Sequence, residues 1–320
     1  MNDASVARAL SSTTLFQPSA APADAILDYG YFVIAIVAVI GLLVGGLILH
    51  TVIRFRHRPG DDLREPPQVY GSNQLELAWT LVPVLIIVIL GLVTARNIWD
   101  LQAPAQREGA LRIAVTGHQW WWEFEYPAEG FVTANELHVP VGTRVALDLG
   151  SADVIHSFWI PELAGKMDLV PGRHNEMWFE AARPGVFVGQ CAEYCGTQHA
   201  HMLLRVIVET PEDFAAWVAH QQREALVLAA HVEGRQIFES TACVNCHTIR
   251  GTGAEGRFGP DLTHLMSRAT IASGAATNDL DHLVDWITSP DHIKPGALMP
   301  AMKLDEQRIR LVAEYLHSLR

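Results

Sequence analysis

The chain has 320 residues, of which 49% are hydrophobic and 18% are charged, and its mean hydropathy is +0.15. Because soluble domains average roughly 25% charged residues, we expect part of the chain to lie in a membrane. The net charge of −12 argues against nucleic acid as a partner, since neutralising phosphates requires a basic surface. The length suffices for about two soluble domains and a membrane anchor, and the apolar content excludes global disorder.

The chain is predicted to begin with a mobile tail, residues 1–28, rich in Ala, Pro and Ser. It contains no sustained apolar run flanked by basic residues, so we do not predict a signal peptide. A transmembrane hairpin is predicted for residues 29–100, with spans at about 31–53 and 77–97. Each span contains a run of about 20 uncharged residues, the length that a helix needs to cross a bilayer. A buried core helix, the alternative, is typically shorter and amphipathic.

Arginines crowd the segment between the two spans, at positions 54, 56, 58 and 64. Basic residues beside a span favour the cytoplasmic side of the membrane. We therefore expect two spans in a bacterial plasma membrane, with both termini and everything after about Asp100 on the periplasmic or outer side.

The exported part of the chain is predicted to contain two domains. Residues 108–210 read as short strands punctuated by Gly and Pro, a pattern typical of an antiparallel sandwich or barrel. Residues 211–231 suit a helix and linker, with Thr210 as the N-cap and Pro211 at the first helical position. Residues 232–320 read as a small helical unit whose last helix is capped by Asp305.

The four cysteines form two close pairs, which suit metal or cofactor chemistry better than a disulfide framework. The first pair lies in the run CAEYCGTQHAHM, residues 191–202. Thiolate, imidazole and thioether ligands together select copper, whereas zinc has no use for a thioether. A second histidine is needed, and His156 in DVIHS lies 35 residues upstream of Cys191.

The pattern C-x-E-x-C-G-x-x-H-x-x-M, preceded by D-x-x-H-S, resembles the copper A site of cytochrome c oxidase subunit II. The resemblance covers about residues 26–210, including GHQWWWEFEY at 117–126 and VPGRHNE at 170–176, and implies a cupredoxin-like domain. It also implies a dinuclear copper ligand set, in which Glu193 contributes its backbone carbonyl: His156, Cys191, Glu193, Cys195, His199 and Met202. The Glu193 side chain would reach a magnesium ion shared with subunit I.

Two further residues acquire roles from this resemblance. Trp120 matches the tryptophan at which electrons from cytochrome c enter, although Trp120–122 also suit a strand core or a membrane-interface anchor. Glu76 in ELAWT matches a carboxylate at the mouth of a proton path into subunit I, but a simple interfacial carboxylate is the alternative.

The second cysteine pair lies in CVNCH, residues 243–247, which is the C-x-x-C-H pattern of covalent c-type haem attachment. Cys243 and Cys246 would form bonds to the haem vinyl groups, and His247 would bind the iron. A redox C-x-x-C pair or half of a zinc site has the same spacing, but no second C-x-x-C exists to complete such a zinc site.

The surroundings of this motif resemble a class I cytochrome c, with FGPDL at 258–262 and LMPAM at 298–302. The resemblance implies that the Pro260 carbonyl holds the ring N–H of His247. Met266, Met299 and Met302 are candidates for the sixth ligand. We predict Met299, because the proline that follows it favours an extended backbone, and the ligand in such cytochromes commonly precedes a proline.

The whole sequence therefore resembles subunit II of a proton-pumping caa3-type oxidase, with a hairpin, a copper A domain and a fused all-α cytochrome c domain. The implied partners are subunit I, with haem a/a3 and copper B, subunit III, and a cytochrome c or upstream reductase as donor. A quinol oxidase subunit would lack Cys191 and Cys195. A copper A-containing nitric oxide reductase subunit and a free-standing membrane-anchored electron carrier remain as alternatives.

Overall fold

The computed structural model describes residues 13–60, 65, 68, 70–102, 109–226 and 228–320. The chain divides into two compact units, residues 25–103 and residues 1–24 with 104–320. Of the arginines between the predicted spans, Arg64 lies outside the described residues.

The smaller unit is a helical hairpin of α1 (Ala21–Arg54) and α2 (Asn73–Leu101). Both helices are long and apolar enough to cross a membrane, and their apolar side chains point outward, so that Leu42 is 78% exposed. A helix satisfies its own backbone hydrogen bonds, which makes such an apolar exterior suited to lipid. A hydrogen bond of 2.5 Å between the Tyr29 hydroxyl and Thr94 Oγ1 joins the two helices. The predicted hairpin is confirmed.

The first transmembrane-length helix extends beyond the predicted span on its N-terminal side, and residues 1–12 of the predicted tail lie outside the described residues. Helix α1 already begins at Ala21, and Ser19 and Ala20 are buried. The Ser19 amide donates to the carbonyl of Glu162 at 2.7 Å, and the Ser19 carbonyl accepts from the amide of Ala182 at 2.8 Å. Ser19 and Ala20 therefore lie against the β domain, directly before the start of α1.

The larger unit contains a sandwich of two five-stranded sheets with the orders β3-β2-β1-β5-β8 and β4-β10-β9-β6-β7. Its strands are β1 (Leu111–His118), β2 (Trp121–Tyr126), β3 (Phe131–Ala134), β4 (Glu136–Pro140), β5 (Arg144–Ser151), β6 (His156–Trp159), β7 (Met167–Leu169), β8 (Asn175–Glu180), β9 (Gly185–Cys191) and β10 (Leu203–Glu209). Strand β1 pairs with β5, and β4 with β10, in parallel, so the sandwich is not purely antiparallel. The all-β cupredoxin-like fold is confirmed.

The core of the sandwich follows from the alternation of side chains along its strands. In β2, Trp122, Phe124 and Tyr126 are completely buried, while the residues between them are more exposed. Phe158 on the other sheet meets Trp122 and Phe124 edge-on, with ring centroids 5.3 and 6.3 Å apart. This aromatic layer supports the strand ends from which the candidate metal ligands project.

Helices follow the sandwich, as predicted. Thr210 caps the first of them by accepting from the Asp213 amide, and Asp305 caps the last by accepting from the Arg308 amide. The helices are α3 (Pro211–Gln221), α4 (Val232–Ser240), α5 (Cys243–Cys246), α6 (Leu280–Thr288), α7 (Pro290–Ile293) and α8 (Glu306–His317). Two short ladders accompany them, formed by β11 (Thr248–Ile249) with β12 (Ala254–Glu255) and by β13 (Thr270–Ile271) with β14 (Ala276–Thr277).

The crossing of α4 and α8 closes this helical domain. A Cβ added at Gly234 would lie 2.1 Å from the carbonyl oxygen of Leu311, so only glycine permits the backbones to approach this closely. Phe238 and Tyr315 meet edge-on beside the crossing, with ring centroids 6.0 Å apart. The fused all-α cytochrome c domain is thereby confirmed, with the two short ladders as additions.

Candidate copper and haem centres

One loop and one strand end assemble the first candidate centre. Cys191 ends β9, and a loop carries Cys195 and His199 to Met202, which immediately precedes β10. His156 is the first residue of β6, which pairs with both β7 and β9. Two neighbouring strands therefore bring a histidine 35 residues upstream to the cysteine loop.

The candidate ligand atoms face one another at close range. The Sγ atoms of Cys191 and Cys195 are 3.8 Å apart, and His156 Nδ1 lies 3.9 Å from the first sulphur. His199 Nδ1 and Met202 Sδ lie 3.7 and 3.8 Å from the second sulphur. Two sulphur ligands about 2.3 Å from a tetrahedral metal lie about 3.8 Å apart, whereas a disulfide would need about 2.05 Å. The donor set and its spacing fit bridged metal ions.

The loop between the cysteines supplies one more donor. The carbonyl oxygen of Glu193 lies 3.2 Å from Cys191 Sγ, on the inner side of the loop. The carboxylate of Glu193 is exposed and accepts from the Tyr194 amide at 3.2 Å. The backbone and the side chain of Glu193 thus face different surroundings, as a carbonyl ligand with an outward carboxylate requires.

The two thiols share one proton in the metal-free protein. The hydrogen bond from Cys195 lowers the pKa of Cys191 to about 3, although burial opposes this shift, and it raises the pKa of Cys195. Coupled groups at this distance titrate as a pair. One thiolate is therefore present before a metal binds, and metal binding must displace the second proton.

Asp153 orients the histidine ligand. Its Oδ1 lies 2.8 Å from His156 Nε2, which leaves Nδ1 facing Cys191. The pKa of His156 is raised because the bonds to Asp153 and Cys191 outweigh the opposing effect of burial. Gly117 makes room for the ring, since a Cβ there would lie 2.8 Å from His156 Cδ2. Our sequence reading assigned neither residue a role, although Asp153 stands in the D-x-x-H motif.

Trp120 lies directly against the cysteine loop. Its Nε1 donates to the Cys195 carbonyl at 3.0 Å, and the side chain is only 8% exposed. Of its neighbours, Trp121 stacks on His118 at 4.2 Å and Trp122 is a core residue. The three tryptophans therefore have different environments, and Trp120 has a direct hydrogen bond to a proposed bridging residue.

Glu76 belongs to the helical hairpin and is exposed in the first turn of α2. Its carbonyl accepts from Thr80 Oγ1 at 2.9 Å, and its amide donates to the Ser72 carbonyl. These bonds hold the backbone and leave the carboxylate at the end of the apolar helix.

The second candidate centre is a cavity of about 320 Å³ with mostly apolar walls. The residues of the haem prediction that line it are Cys243, Cys246, His247, Pro260, Met299 and Met302. The ring Nδ1 of His247 lies 2.8 Å from the Pro260 carbonyl, as the resemblance implies. Burial lowers the pKa of His247, so its imidazole is neutral, with Nδ1–H donating and Nε2 available to a metal.

Glycines make this cavity possible. A Cβ at Gly259 would lie 2.6 Å from His247 Cε1, and one at Gly256 would lie 2.5 Å from the backbone of Asn245 and Cys246. The Gly259 amide also donates to the Cys246 carbonyl at 2.7 Å. The turn therefore wraps closely around the attachment motif, and the neutral histidine, paired thiols and apolar walls fit a covalent haem.

The three methionines considered for the sixth haem ligand lie in two different places. Met299 and Met302 both line the cavity, whereas Met266 packs against the hydrophobic core of the helical domain. The geometry excludes Met266 from the cavity wall and leaves the choice between the other two to sequence context.

Residues of the β sandwich complete the wall of the same cavity. They are His118, Gln119, Trp120, Trp121, Asn135 and Asp153. Burial lowers the pKa of His118 to about 4, so this face is uncharged at neutral pH apart from Asp153. Neither cysteine motif predicts this composite wall, because nothing in either motif indicates which faces of the two domains meet.

Three family profiles match the chain. They are the transmembrane domain of cytochrome c oxidase subunit II over residues 9–96, its periplasmic domain over residues 128–210, and cytochrome c over residues 231–320.

Individual proteins are similar over most of the chain. Cytochrome c oxidase subunit 2 of Alkalihalophilus pseudofirmus is 37% identical over 316 residues, covering 96% of this chain and 91% of that protein. The subunit 2 of Bacillus sp. strain PS3 is 34% identical, covering 83% and 80%. Among solved structures, the periplasmic domain of cytochrome oxidase subunit II of Bradyrhizobium japonicum is 37% identical, covering 36% of this chain and 96% of that one, with a TM-score of 0.35.

Replacing Cys195 with serine removes one of the two sulphurs that lie 3.8 Å apart. We expect the purified variant to lose the mixed-valence copper spectrum, because a hydroxyl does not bridge two coppers as a thiolate does. The matched control is His201→Asn, since His201 Nδ1 bonds Gln198 Oε1 at 2.8 Å and does not face the sulphurs. A normal two-copper spectrum in Cys195→Ser would refute the ligand assignment.

Met299 and Met302 are distinguished by paired substitutions. We expect Met299→Ala to abolish the methionine–iron charge-transfer band and to lower the haem reduction potential, because a His/Met pair raises that potential. Met302→Ala is the control, and we expect it to change neither property appreciably. The opposite pattern would assign the ligand to Met302.

Proposed function

This chain belongs to the cytochrome c oxidase subunit II family, and from that premise we propose that it serves a proton-pumping caa3-type terminal oxidase. In this role it passes electrons from its own haem c to copper A and on to the oxygen-reducing site of subunit I. The bound haem iron and the copper pair supply the reversible one-electron chemistry. The chain supplies the ligands, holds them in fixed positions and places buried residues between the two centres.

The observation that carries the proposal is the position of Trp120 between the two centres. Its indole lines the cavity proposed for haem and donates a hydrogen bond to the Cys195 carbonyl. The side chain is 8% exposed and lines this cavity together with residues of the helical domain. We propose that electrons enter copper A through Trp120 from the fused haem domain, and that external donors deliver to that domain.

The residues around the copper loop serve transfer rather than substrate binding. His156 and Met202 are fully buried, and Cys191 and Cys195 are 4% and 3% exposed. Ligands held in this way reorganise little when the charge of the site changes, and burial keeps water from occupying a coordination position. We therefore propose that Cys191 and Cys195 would bridge a bound copper pair and that His156 and His199 would each bind one copper. Met202 would be a weak ligand to one copper, and the Glu193 backbone carbonyl would bind the other.

The remaining assignments concern the partner subunits. We propose that the exposed carboxylate of Glu193 binds a magnesium ion shared with subunit I. Glu76, at the beginning of α2, is proposed to mark the mouth of a proton path into that subunit. Subunit III and a cytochrome c or upstream reductase complete the proposed partners.

We expect the complex purified through this chain from its native membranes to contain a haem a-bearing subunit I. Per copy of this chain it should contain one covalent haem c and two coppers beyond those of subunit I, and it should consume oxygen with reduced cytochrome c. Isolation of the chain without subunit I would favour the free-standing carrier. Reduction of nitric oxide without oxygen uptake would favour the nitric oxide reductase.

Trp120→Phe in that complex tests the proposed route. We expect oxygen uptake to fall about tenfold or more, because the variant loses the indole hydrogen bond to the Cys195 carbonyl. A small change in the position of groups along the transfer path has a large effect on the rate. The haem and copper spectra should remain. Trp178→Phe is the matched control, since that ring packs under the Arg144 guanidinium at 3.6 Å, away from both centres.

The proposed orientation places the segment after α1 in the cytoplasm. All four native cysteines are free thiols in the metal-free protein and belong to the two proposed centres, so an added cysteine can be labelled selectively in the loaded protein. We expect Arg56→Cys to react with a membrane-impermeant maleimide only from the cytoplasmic side. Glu212→Cys, exposed at the start of α3, is the matched control and should react from outside. Labelling of Arg56→Cys from outside would refute the topology.

A further inference from the structure

Lys294 is a buried cation that neither proposed centre uses as a ligand. Its residue is only 3% exposed, and it follows α7 in the loop that leads to Met299. A buried ammonium is costly unless its protons are all bonded. Here the three protons find three acceptors: Nζ lies 2.7 Å from the Trp120 carbonyl, 2.9 Å from that of His201 and 3.0 Å from that of Ala272.

The acceptors come from both domains. Trp120 and His201 belong to the β sandwich, and Ala272 belongs to the helical domain, as Lys294 itself does. Each segment has a place in the proposed electron path. The His201 carbonyl lies between His199 and Met202 in the copper loop, Trp120 is the proposed point of electron transfer, and four residues separate Lys294 from Met299.

The same loop has a second tie to the copper loop. Gln198 Nε2 donates to the Pro295 carbonyl at 2.6 Å. The side chain of Gln198 is buried, and it also accepts from His201 at 2.8 Å when the histidine ring donates. Gln198, directly before the proposed ligand His199, and His201, two residues after it, are therefore both bonded to the segment that precedes Met299.

Further contacts show that the domain interface is specific. The buried carboxylate of Glu136 on β4 accepts from the amides of Ala269 and Thr270 at 2.9 and 3.3 Å. Ser273 Oγ donates to the Leu203 carbonyl at 2.7 Å, and the Leu203 amide donates back to the Ser273 carbonyl. These contacts hold the edge of the helical domain, whereas Lys294 holds the part nearest the copper loop.

We propose that Lys294 is a positioning residue for electron transfer within this chain, fixing the methionine loop of the haem domain against Trp120 and the copper loop. The inference rests on the proposed function. Lysine suits this role because its compact ammonium directs three protons to three carbonyls, which the planar guanidinium of arginine does not match. Three charge-assisted hydrogen bonds at one atom fix the spacing of three backbone segments.

The test is Lys294→Met in the complete, cofactor-loaded complex, which keeps the length of the side chain and removes all three donors. A light flash excites a ruthenium tris-bipyridine photosensitiser, which transfers one electron to haem c and recovers it from a sacrificial amine donor. The arrival of the electron at copper A is then followed by the absorbance of copper A. We expect transfer to slow about tenfold or more, because small losses of position between reacting groups have large effects on rate. The comparison is made at pH 6, since burial lowers the pKa of Lys294 to about 7.

Two readouts separate positioning from a general structural role. The methionine–iron band and the copper A spectrum should match the wild type, and both reduction potentials are measured so that a change in driving force from loss of the charge is separated from lost positioning. The amides of Ala269 and Thr270 should exchange with deuterium faster, because the interface opens while each domain remains folded. Lys294→Gln, which retains two donor protons, should give a smaller loss of rate if Lys294→Met proves unstable.

Lys303→Met is the matched control, because Lys303 is an exposed lysine of the same domain and its loss removes the same charge. We expect the wild-type transfer rate there. An unchanged rate in Lys294→Met would overturn the inference, and so would a loss of rate accompanied by loss of either cofactor spectrum. Absence of copper A or haem c from the wild type would instead refute the proposed function.

Discussion

The separation of 3.8 Å between the Cys191 and Cys195 sulphurs is the constraint on which the copper domain depends. Two thiolates at this distance repel one another and bind a proton or a cation between them. The protein holds them there by ending β9 at one cysteine and starting β10 soon after the other, so the two paired strands fix both ends of the loop. The aromatic core beneath these strands then serves to keep the loop from relaxing.

The same constraint explains the residues that surround the loop. His156 reaches the sulphurs only because Gly117 on the opposite sheet lacks a Cβ, and Asp153 turns its ring so that Nδ1 faces Cys191. A ligand whose other ring nitrogen is already bonded has a defined tautomer and a defined direction. The haem site follows the same principle, with the Pro260 carbonyl holding Nδ1 of His247.

The fused helical domain changes how an electron donor is brought to the copper centre. A soluble donor must find its site by diffusion, whereas a domain of the same chain is present at a high effective concentration. High local concentration does not by itself give a productive orientation. The interface around Lys294 and Glu136 supplies that orientation through buried, charge-assisted hydrogen bonds to backbone groups. Such bonds depend on geometry more than on the side chains of the partner.

Sequence motifs alone predicted the chemistry of both centres and the order of the domains. Local spacing was sufficient because the ligands of each motif lie within a few residues, and helix caps such as Thr210 and Asp305 act on their own first turns. The hairpin was predictable for a similar reason, since crossing a bilayer requires only an uninterrupted apolar run. The pairing of His156 with the cysteines rested on the resemblance to the subunit II family, because no local rule links residues 35 positions apart.

Only the tertiary structure decided how the elements meet. It placed Ser19 and Ala20 against the sandwich, paired β1 with β5 in parallel, and brought Lys294 to the carbonyl of a tryptophan 174 residues earlier. Each of these contacts involves at least one backbone group, which every residue carries, so no side-chain pattern predicts its partner. The sequence by itself predicted which groups would hold the cofactors and which two segments suit a membrane. The packing of the β sandwich against the helical domain determined which faces of the two domains lie together.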